Sequence, residues 1–344
     1  MDKKKPVAID LFAGCGGLSR GLRDGGFRVV AAVELDPLAI KTYKKNHKGT
    51  IVFQKNILEL PVSTVRKRLK LHIGELDLLA GCPPCQGFSR LRTLNGTRVV
   101  RDDRNDLIFE FERFARELKP KAIMIENVPG LAKGKRIKKF ACSLESMGYH
   151  VEYRILDVAN FGVPQRRKRT VLLAGRAAAI PWPFPEEIVN TVKTAIGSLP
   201  HPSKSKDPLH KLVAKRSKKV QELIRHIPKN GGSRSSLPAE FRLKCHKNTD
   251  GFRDIYGRMN WSLPSPTITS GCINPSKGRF LHPYQNRTIT LREASILQGF
   301  PMSYVFCLDK GTYAVAEMIG NALPPEFARR HALMVKEHLK QLRV

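Results

Sequence analysis

No stretch of the 344-residue chain approaches the roughly 18 consecutive apolar residues that a membrane span requires. Acidic residues are scarce: 30 Asp and Glu face 61 Lys and Arg, for a formal net charge of +31. Solubility asks for a charge of only about 2–8 on a small domain, so a solvated surface alone explains this excess poorly. A polyanion such as nucleic acid is the expected partner. Cysteine occurs in the odd number of seven, mostly in apolar or glycine-rich surroundings. That argues against a secreted disulfide framework and for a reducing compartment. The charged start, Met1–Pro6, has the flank of a signal peptide, but Asp10 breaks the apolar stretch behind it, which then runs into glycines. A soluble, cytoplasmic protein without a membrane partner is expected.

What is present is enough for a core, with 41% hydrophobic residues, and at roughly 150 residues per domain the length suits about two domains. β-rich runs predict strands at 7–12, 27–34, 76–80, 122–126, 151–156 and 170–174. Between the third and fourth, Leu107, Phe111, Phe114, Ala115 and Leu118 recur at helical spacing. Alternating strands and helices predict an α/β fold, a doubly wound and mostly parallel sheet over residues 1–176. Ligands of such sheets bind outside the carboxyl ends of the strands. After Arg176 the alternation stops. Residues 177–259 are rich in Pro, Gly and Ser and include Lys204–Lys219, with seven Lys or Arg against one Asp. They are expected to form a second, smaller, irregular and basic domain. Residues 260–344 form a return segment. Its final helix, near 325–342, lines up Ala328, Ala332, Val335, Leu339 and Leu342 for docking on the first domain.

Four stretches carry chemistry. In Ile9-Asp-Leu-Phe-Ala-Gly-Cys-Gly-Gly-Leu18 a strand runs through Gly14, Gly16 and Gly17 into a helix. Glycines there let the backbone approach a ligand closely. Ser19 occupies the third position of a dinucleotide fingerprint, so a pyrophosphate is a poor fit. With Glu34 placed to hold a ribose, the pattern suits a nucleoside ligand such as S-adenosylmethionine; a tight turn with no ligand is the alternative.

In Leu78-Leu-Ala-Gly-Cys-Pro-Pro-Cys-Gln-Gly-Phe-Ser89, Cys82 and Cys85 form a C-x-x-C pair. No second pair or nearby His pair completes a zinc site, so no metal is expected. Pro83, Pro84 and Gly87 make a helix-opening redox motif awkward. One nucleophilic cysteine on a rigid proline turn is the third reading. Glu126 ends an apolar strand, where a carboxyl holds its proton more readily; a helix cap or a salt bridge would use it equally well. Pro164-Gln-Arg-Arg-Lys-Arg169 sets four cations before a strand, for a carbonyl or phosphate, or as a solvated basic hairpin.

In this order the motifs resemble the DNA cytosine-5 methyltransferases. The matching stretches are Asp10–Gly17, Pro84–Ser89, Glu126–Val128, Gln165–Arg169, Arg287–Glu293 and Gly320–Pro324, which together span almost the whole chain. The resemblance implies a sheet of the S-adenosylmethionine-dependent methyltransferase type and methylation of cytosine C5 in double-stranded DNA. It makes Cys85, not Cys82, the nucleophile that adds to C6 of a flipped-out base. Glu126 would bond the base at N3 and its exocyclic amine, and Arg169 its carbonyl, with Arg167 a near neighbour. Phe12, Gly14, Gly16 and Gly17 would surround the methionine part of the cofactor and Glu34 its ribose. Asn56 and Ile57 stand where the family usually has Asp-Ile beside adenine, so the charge is lost there. Asn321 lies in a segment that folds back to the cofactor. The product is S-adenosylhomocysteine. The family's variable target-recognition region falls between Arg176 and about Met259, short enough for a single short site. The resemblance also implies a monomer of bacterial or phage origin, paired with a restriction endonuclease without a stable complex. An RNA cytosine-5 methyltransferase would keep the same motifs; the separate basic segment favours DNA. An inactive DNA-binding relative would not need Cys85, Glu126 and Arg169 together.

Overall fold

The computed structural model describes residues 5–84, 107–241 and 254–342. They divide into two compact units: residues 1–161, 168–185 and 323–344, and residues 162–167 with 186–322.

The first unit is built on seven strands: β1 (Val7–Leu11), β2 (Arg28–Glu34), β3 (Ile51–Gln54), β4 (Leu78–Gly81), β5 (Ala122–Asn127), β6 (Tyr149–Asp157) and β7 (Lys168–Arg176). Their order is β3-β2-β1-β4-β5-β7-β6. All pairs from β3 through β5 are parallel, whereas β7 runs antiparallel to both neighbours. The chain order reverses between β1 and β4, the place where such sheets open a crevice for ligands. Six strands fall where hydrophobic patterning puts them. β3 is additional: it is a four-residue edge strand, half-exposed along its length, so burial imprints no strong pattern on it.

Helices α1 (Gly17–Asp24), α2 (Pro37–Asn46), α3 (Val62–Leu69), α4 (Leu107–Leu118), α5 (Pro129–Ala132) and α6 (Lys135–Ser146) follow the strands. Asp36 starts α2 by accepting from the amides of Leu38 and Ala39, with Pro37 in the first turn. On α4 the buried stripe is Ile108, Phe111, Phe114, Ala115 and Leu118. Ile108 rather than Leu107 completes it.

The second unit holds short helices and isolated bridges among its described residues: α7 (Val192–Ile196), α8 (Pro208–Lys211), α9 (Lys218–His226), α10 (Leu291–Leu297) and α11 (Gly311–Asn321). Arg258 is its fully buried hub. The guanidinium donates to the carbonyls of Ile224, Ile227, His282 and Gln285 and to Asn286 Oδ1. It thereby caps the carboxyl end of α9 and ties 258 to the 282–286 turn, which is why 260–322 belongs to this unit. Residues 177–185 stay with the sheet: Trp182 donates to Glu152 and lies under the guanidinium of Arg154.

The chain re-enters the first unit through α12 (Pro325–Gln341), which buries Ala328, Ala332, Val335 and Leu339. It packs on α1 so closely that a Cβ on Gly21 would come within 2.4 Å of both Ala328 Cβ and the Pro325 carbonyl oxygen. Alanine at a helical glycine ordinarily gains about 1 kcal/mol. Here the backbone oxygen cannot move aside, and overpacking of this kind costs about 1–3 kcal/mol. Gly21→Ala is therefore expected to lower the urea midpoint, and a midpoint raised by the helix gain would refute this packing.

Candidate active site

The carboxyl end of the parallel sheet gathers the candidate residues of the first unit. After β1 the backbone turns sharply, with left-handed Phe12 (φ 60°), Gly14 (φ 53°) and Gly16 (φ 97°). For Phe12 this is a strained conformation. A Cβ on Gly14 would meet nothing within 4 Å, so the loop borders open space. Gly17 opens α1.

Glu34, half-buried at the end of β2, fixes this loop. Its Oε2 accepts from the Gly14 amide at 2.7 Å, and its Oε1 from the amides of Leu35 and Asp36 at 2.8 Å. Beyond β3, Asn56 caps a short 3-10 turn by accepting from the Leu58 amide, and Ile57 is buried beside it. An open glycine turn, a carboxylate at the end of β2 and a polar residue after β3 form a donor set suited to an adenosine-bearing cofactor.

Beneath the loop lies a network that sequence reasoning missed. Asp10 is wholly buried and accepts from Ser19 Oγ at 2.6 Å, while Ser19 Oγ lies 2.7 Å from Tyr43 Oη. Burial pushes the Asp10 carboxyl up to about 7, against the pull of the Ser19 hydroxyl. An acid inside an apolar strand and a serine in place of a third glycine were the available signals.

On the other side of β4, Glu126 and Arg169 form an ion pair, Nε to Oε1 at 2.7 Å, with 13% of the Arg169 side chain and 9% of the Glu126 side chain exposed. The antiparallel register, Asn127 opposite Thr170, brings the end of β5 to the start of β7. Glu126 thus has a cation beside it rather than the wholly apolar surroundings of its strand. Arg169 Nη1 donates to the Lys168 carbonyl.

Asn127 Nδ2 donates to the Pro83 carbonyl at 2.9 Å, joining the cysteine turn to the end of β5. Burial, and then the negative charge of Glu126, pushes the Cys82 thiol well above its ordinary range. Cys82 is therefore held as a thiol, unsuited to nucleophilic attack. Cys85, with the rest of that motif through Ser89, lies outside the described residues.

Two expected site residues belong to the second unit. Arg167 is buried and donates to the carbonyls of Ile268 at 2.8 Å and Gly320 at 2.9 Å. These bonds to backbone carbonyls brace it within its unit. Asn321 is exposed at the end of α11. The preceding glycine has a packing reason: a Cβ on Gly320 would come within 2.3 Å of the Thr269 backbone.

The C-5 cytosine-specific DNA methylase family matches residues 7–337. The Type II methylase M.HgiDII of Herpetosiphon aurantiacus is 35% identical, covering 98% of this chain and 96% of that protein. The Type II methyltransferase M1.HphI of Haemophilus parahaemolyticus is 31% identical over 93% of this chain and 84% of that one. Among solved structures, a DNA modification methyltransferase encoded within an E. coli prophage superimposes with a TM-score of 0.75 and 25% identity, over 97% of this chain and 99% of that one. The motif order, the sheet and these matches agree: the chain belongs to the C-5 cytosine-specific DNA methylase family.

Proposed function

We propose that the protein methylates C5 of a cytosine within one short duplex DNA sequence, as the modification arm of a restriction–modification system. The observation that carries this reading is the buried Glu126–Arg169 pair at the sheet end to which Asn127 fastens the cysteine turn. A carboxylate and a forked cation side by side suit the polar edge of a pyrimidine. That edge is reachable only when the nucleotide is flipped out of the stack.

When bound, S-adenosylmethionine would supply an electrophilic methyl group on a sulfonium and leave as the thioether S-adenosylhomocysteine. Phe12, Gly14, Gly16 and Gly17 would line it, Glu34 would hold the ribose, and Asn56 and Ile57 would flank the adenine. Asn321 joins this set through family resemblance alone. Cys85 adds as a thiolate to C6, and the C5–C6 electron pair moves onto C5. Glu126 bonds the N3 edge as charge builds there, and Arg169 holds the base carbonyl. C5 takes the methyl group, loses its proton to a base, and expels the thiolate as the C5–C6 double bond returns.

Bisulfite sequencing of DNA from cells expressing the protein tests the proposal. Protected cytosines in a single short sequence context are expected. Unmodified DNA together with methylated RNA would transfer the activity to RNA.

The 204–219 stretch supplies phosphate neutralisation in this reading. Lys204, Lys206, Lys211, Lys215, Lys218 and Lys219 are exposed, whereas Arg216 is turned inward onto the Ile273 carbonyl. Replacing several of the six lysines with Gln is expected to weaken specific and non-specific duplex binding alike. Each phosphate left without its lysine should lower the log–log salt slope by about 0.9. A changed methylation sequence at constant slope would instead make this stretch a reader of bases.

A further inference from the structure

The turn that carries Asn56 and Ile57 is weakly built on its own. It spans only the three residues Ile57–Glu59, and 3-10 geometry makes poorer hydrogen bonds than an α-helix does. The Asn56 cap reaches the Leu58 amide at 3.2 Å, and the closing bond from the Leu60 amide to the Ile57 carbonyl is 3.3 Å long. The preceding strand, β3, is a half-exposed edge. Ile57 and Leu60 are buried in the core of the sheet unit, while Leu58 between them is exposed. Apolar burial of two side chains decides which face of the turn points inward. Being non-directional, it does not aim the peptide groups.

That aim comes from α4. Arg113 donates from one terminal nitrogen to the Ile57 carbonyl at 2.7 Å and from the other to the Leu60 carbonyl at 3.2 Å. Its Nε donates to Glu110 Oε2 at 2.8 Å, and the half-buried guanidinium lies 5.1 Å from the centre of the Phe114 ring. Arg116, three residues on, shows the ordinary use of a cation on this helix: it is exposed and bonds to Glu112 and Ser143. A planar fork with charge-assisted donors on both ends of a turn sets its orientation as well as its distance. One of the two carbonyls belongs to Ile57 itself. We propose that Arg113 is a positioning residue of the cofactor site, which sets where Asn56 and Ile57 stand against the adenine and so governs cofactor affinity while taking no part in methyl transfer. The assignment rests on the reading of this crevice as the S-adenosylmethionine site. Arg113 lies 56 residues beyond Ile57 in the chain, so no local motif marks it.

Three variants provide the test. Arg113→Met keeps the apolar stem and removes every donor, Arg113→Lys keeps the charge and serves one carbonyl at a time, and Arg116→Met is the control on the same helix. Calorimetry with S-adenosylhomocysteine and with 5′-methylthioadenosine, which carries the adenosine half alone, reads the site without turnover. Arg113→Met should weaken both ligands by the same factor of about 10, the order expected when a charge-assisted hydrogen bond is lost. Its KM for S-adenosylmethionine should rise by that factor, with kcat at saturation within about twofold of the wild type, the pattern of lost uniform binding. Arg113→Lys should fall between the two, and Arg116→Met should match the wild type. Unchanged affinity in Arg113→Met, a loss confined to S-adenosylhomocysteine, a fall in kcat as large as the rise in KM, or an equal loss in Arg116→Met overturns the assignment. If Arg113→Met does not fold, the lysine variant decides: weaker binding of both ligands supports the assignment, and wild-type affinity overturns it. A wild type that binds neither ligand counts instead against the cofactor reading.

Discussion

Cys85→Ser is expected to reduce methyl transfer to background, while Cys82→Ser keeps substantial activity. A serine hydroxyl at position 85 preserves size but provides no anion at neutral pH to add to C6. The Cys82 thiol is held protonated by burial and by the negative charge of Glu126, so a serine there replaces one neutral donor with another. Initial rates with saturating cofactor and duplex separate the two, and equal losses would remove Cys85 from its assigned role. A duplex carrying 5-fluorocytosine adds a second readout. Fluorine cannot leave as the C5 proton does, so the wild type should remain covalently attached through denaturation. Cys85→Ser should not.

Glu126→Gln is expected to lower kcat by about 10²–10⁴-fold, the range for loss of a positioned acid–base group. Cofactor affinity should be nearly unchanged. The amide keeps the shape but neither the charge nor the proton capacity of the carboxylate, and it leaves the Arg169 guanidinium, bonded at 2.7 Å in the wild type, without its counter-charge. The loss should therefore appear in the transition state. Calorimetry with the cofactor alone provides the comparison. An affinity that falls as far as the rate would place Glu126 in the cofactor pocket.

The sheet was legible because six of its strands are apolar runs with turn signals between them. The same legibility extended to α4 and α12, whose stripes keep helical spacing. β3 escaped because an edge strand that buries little carries little pattern. The site was legible as motifs rather than as contacts. Glu126 and Arg169 were each assigned to the base, but their mutual pairing depends on the reversed direction of β7, which no local signal announces. Arg167 and Arg169 belong to different units, and only the fold shows the first spending its donors on the carbonyls of Ile268 and Gly320. The Asp10–Ser19–Tyr43 chain was invisible for a related reason, since Tyr43 comes from α2 and meets Ser19 of α1 only after packing.

The seating of α12 on α1 bears on how the protein is made. A ribosome delivers α1 and the glycine loop that opens it early, but the helix that covers Gly21 comes only after the whole of residues 186–322. Until then the nascent sheet unit presents an uncovered apolar face, and the turn that begins α1 lacks the support behind it. A chain released before residues 186–322 are translated therefore cannot complete the sheet unit.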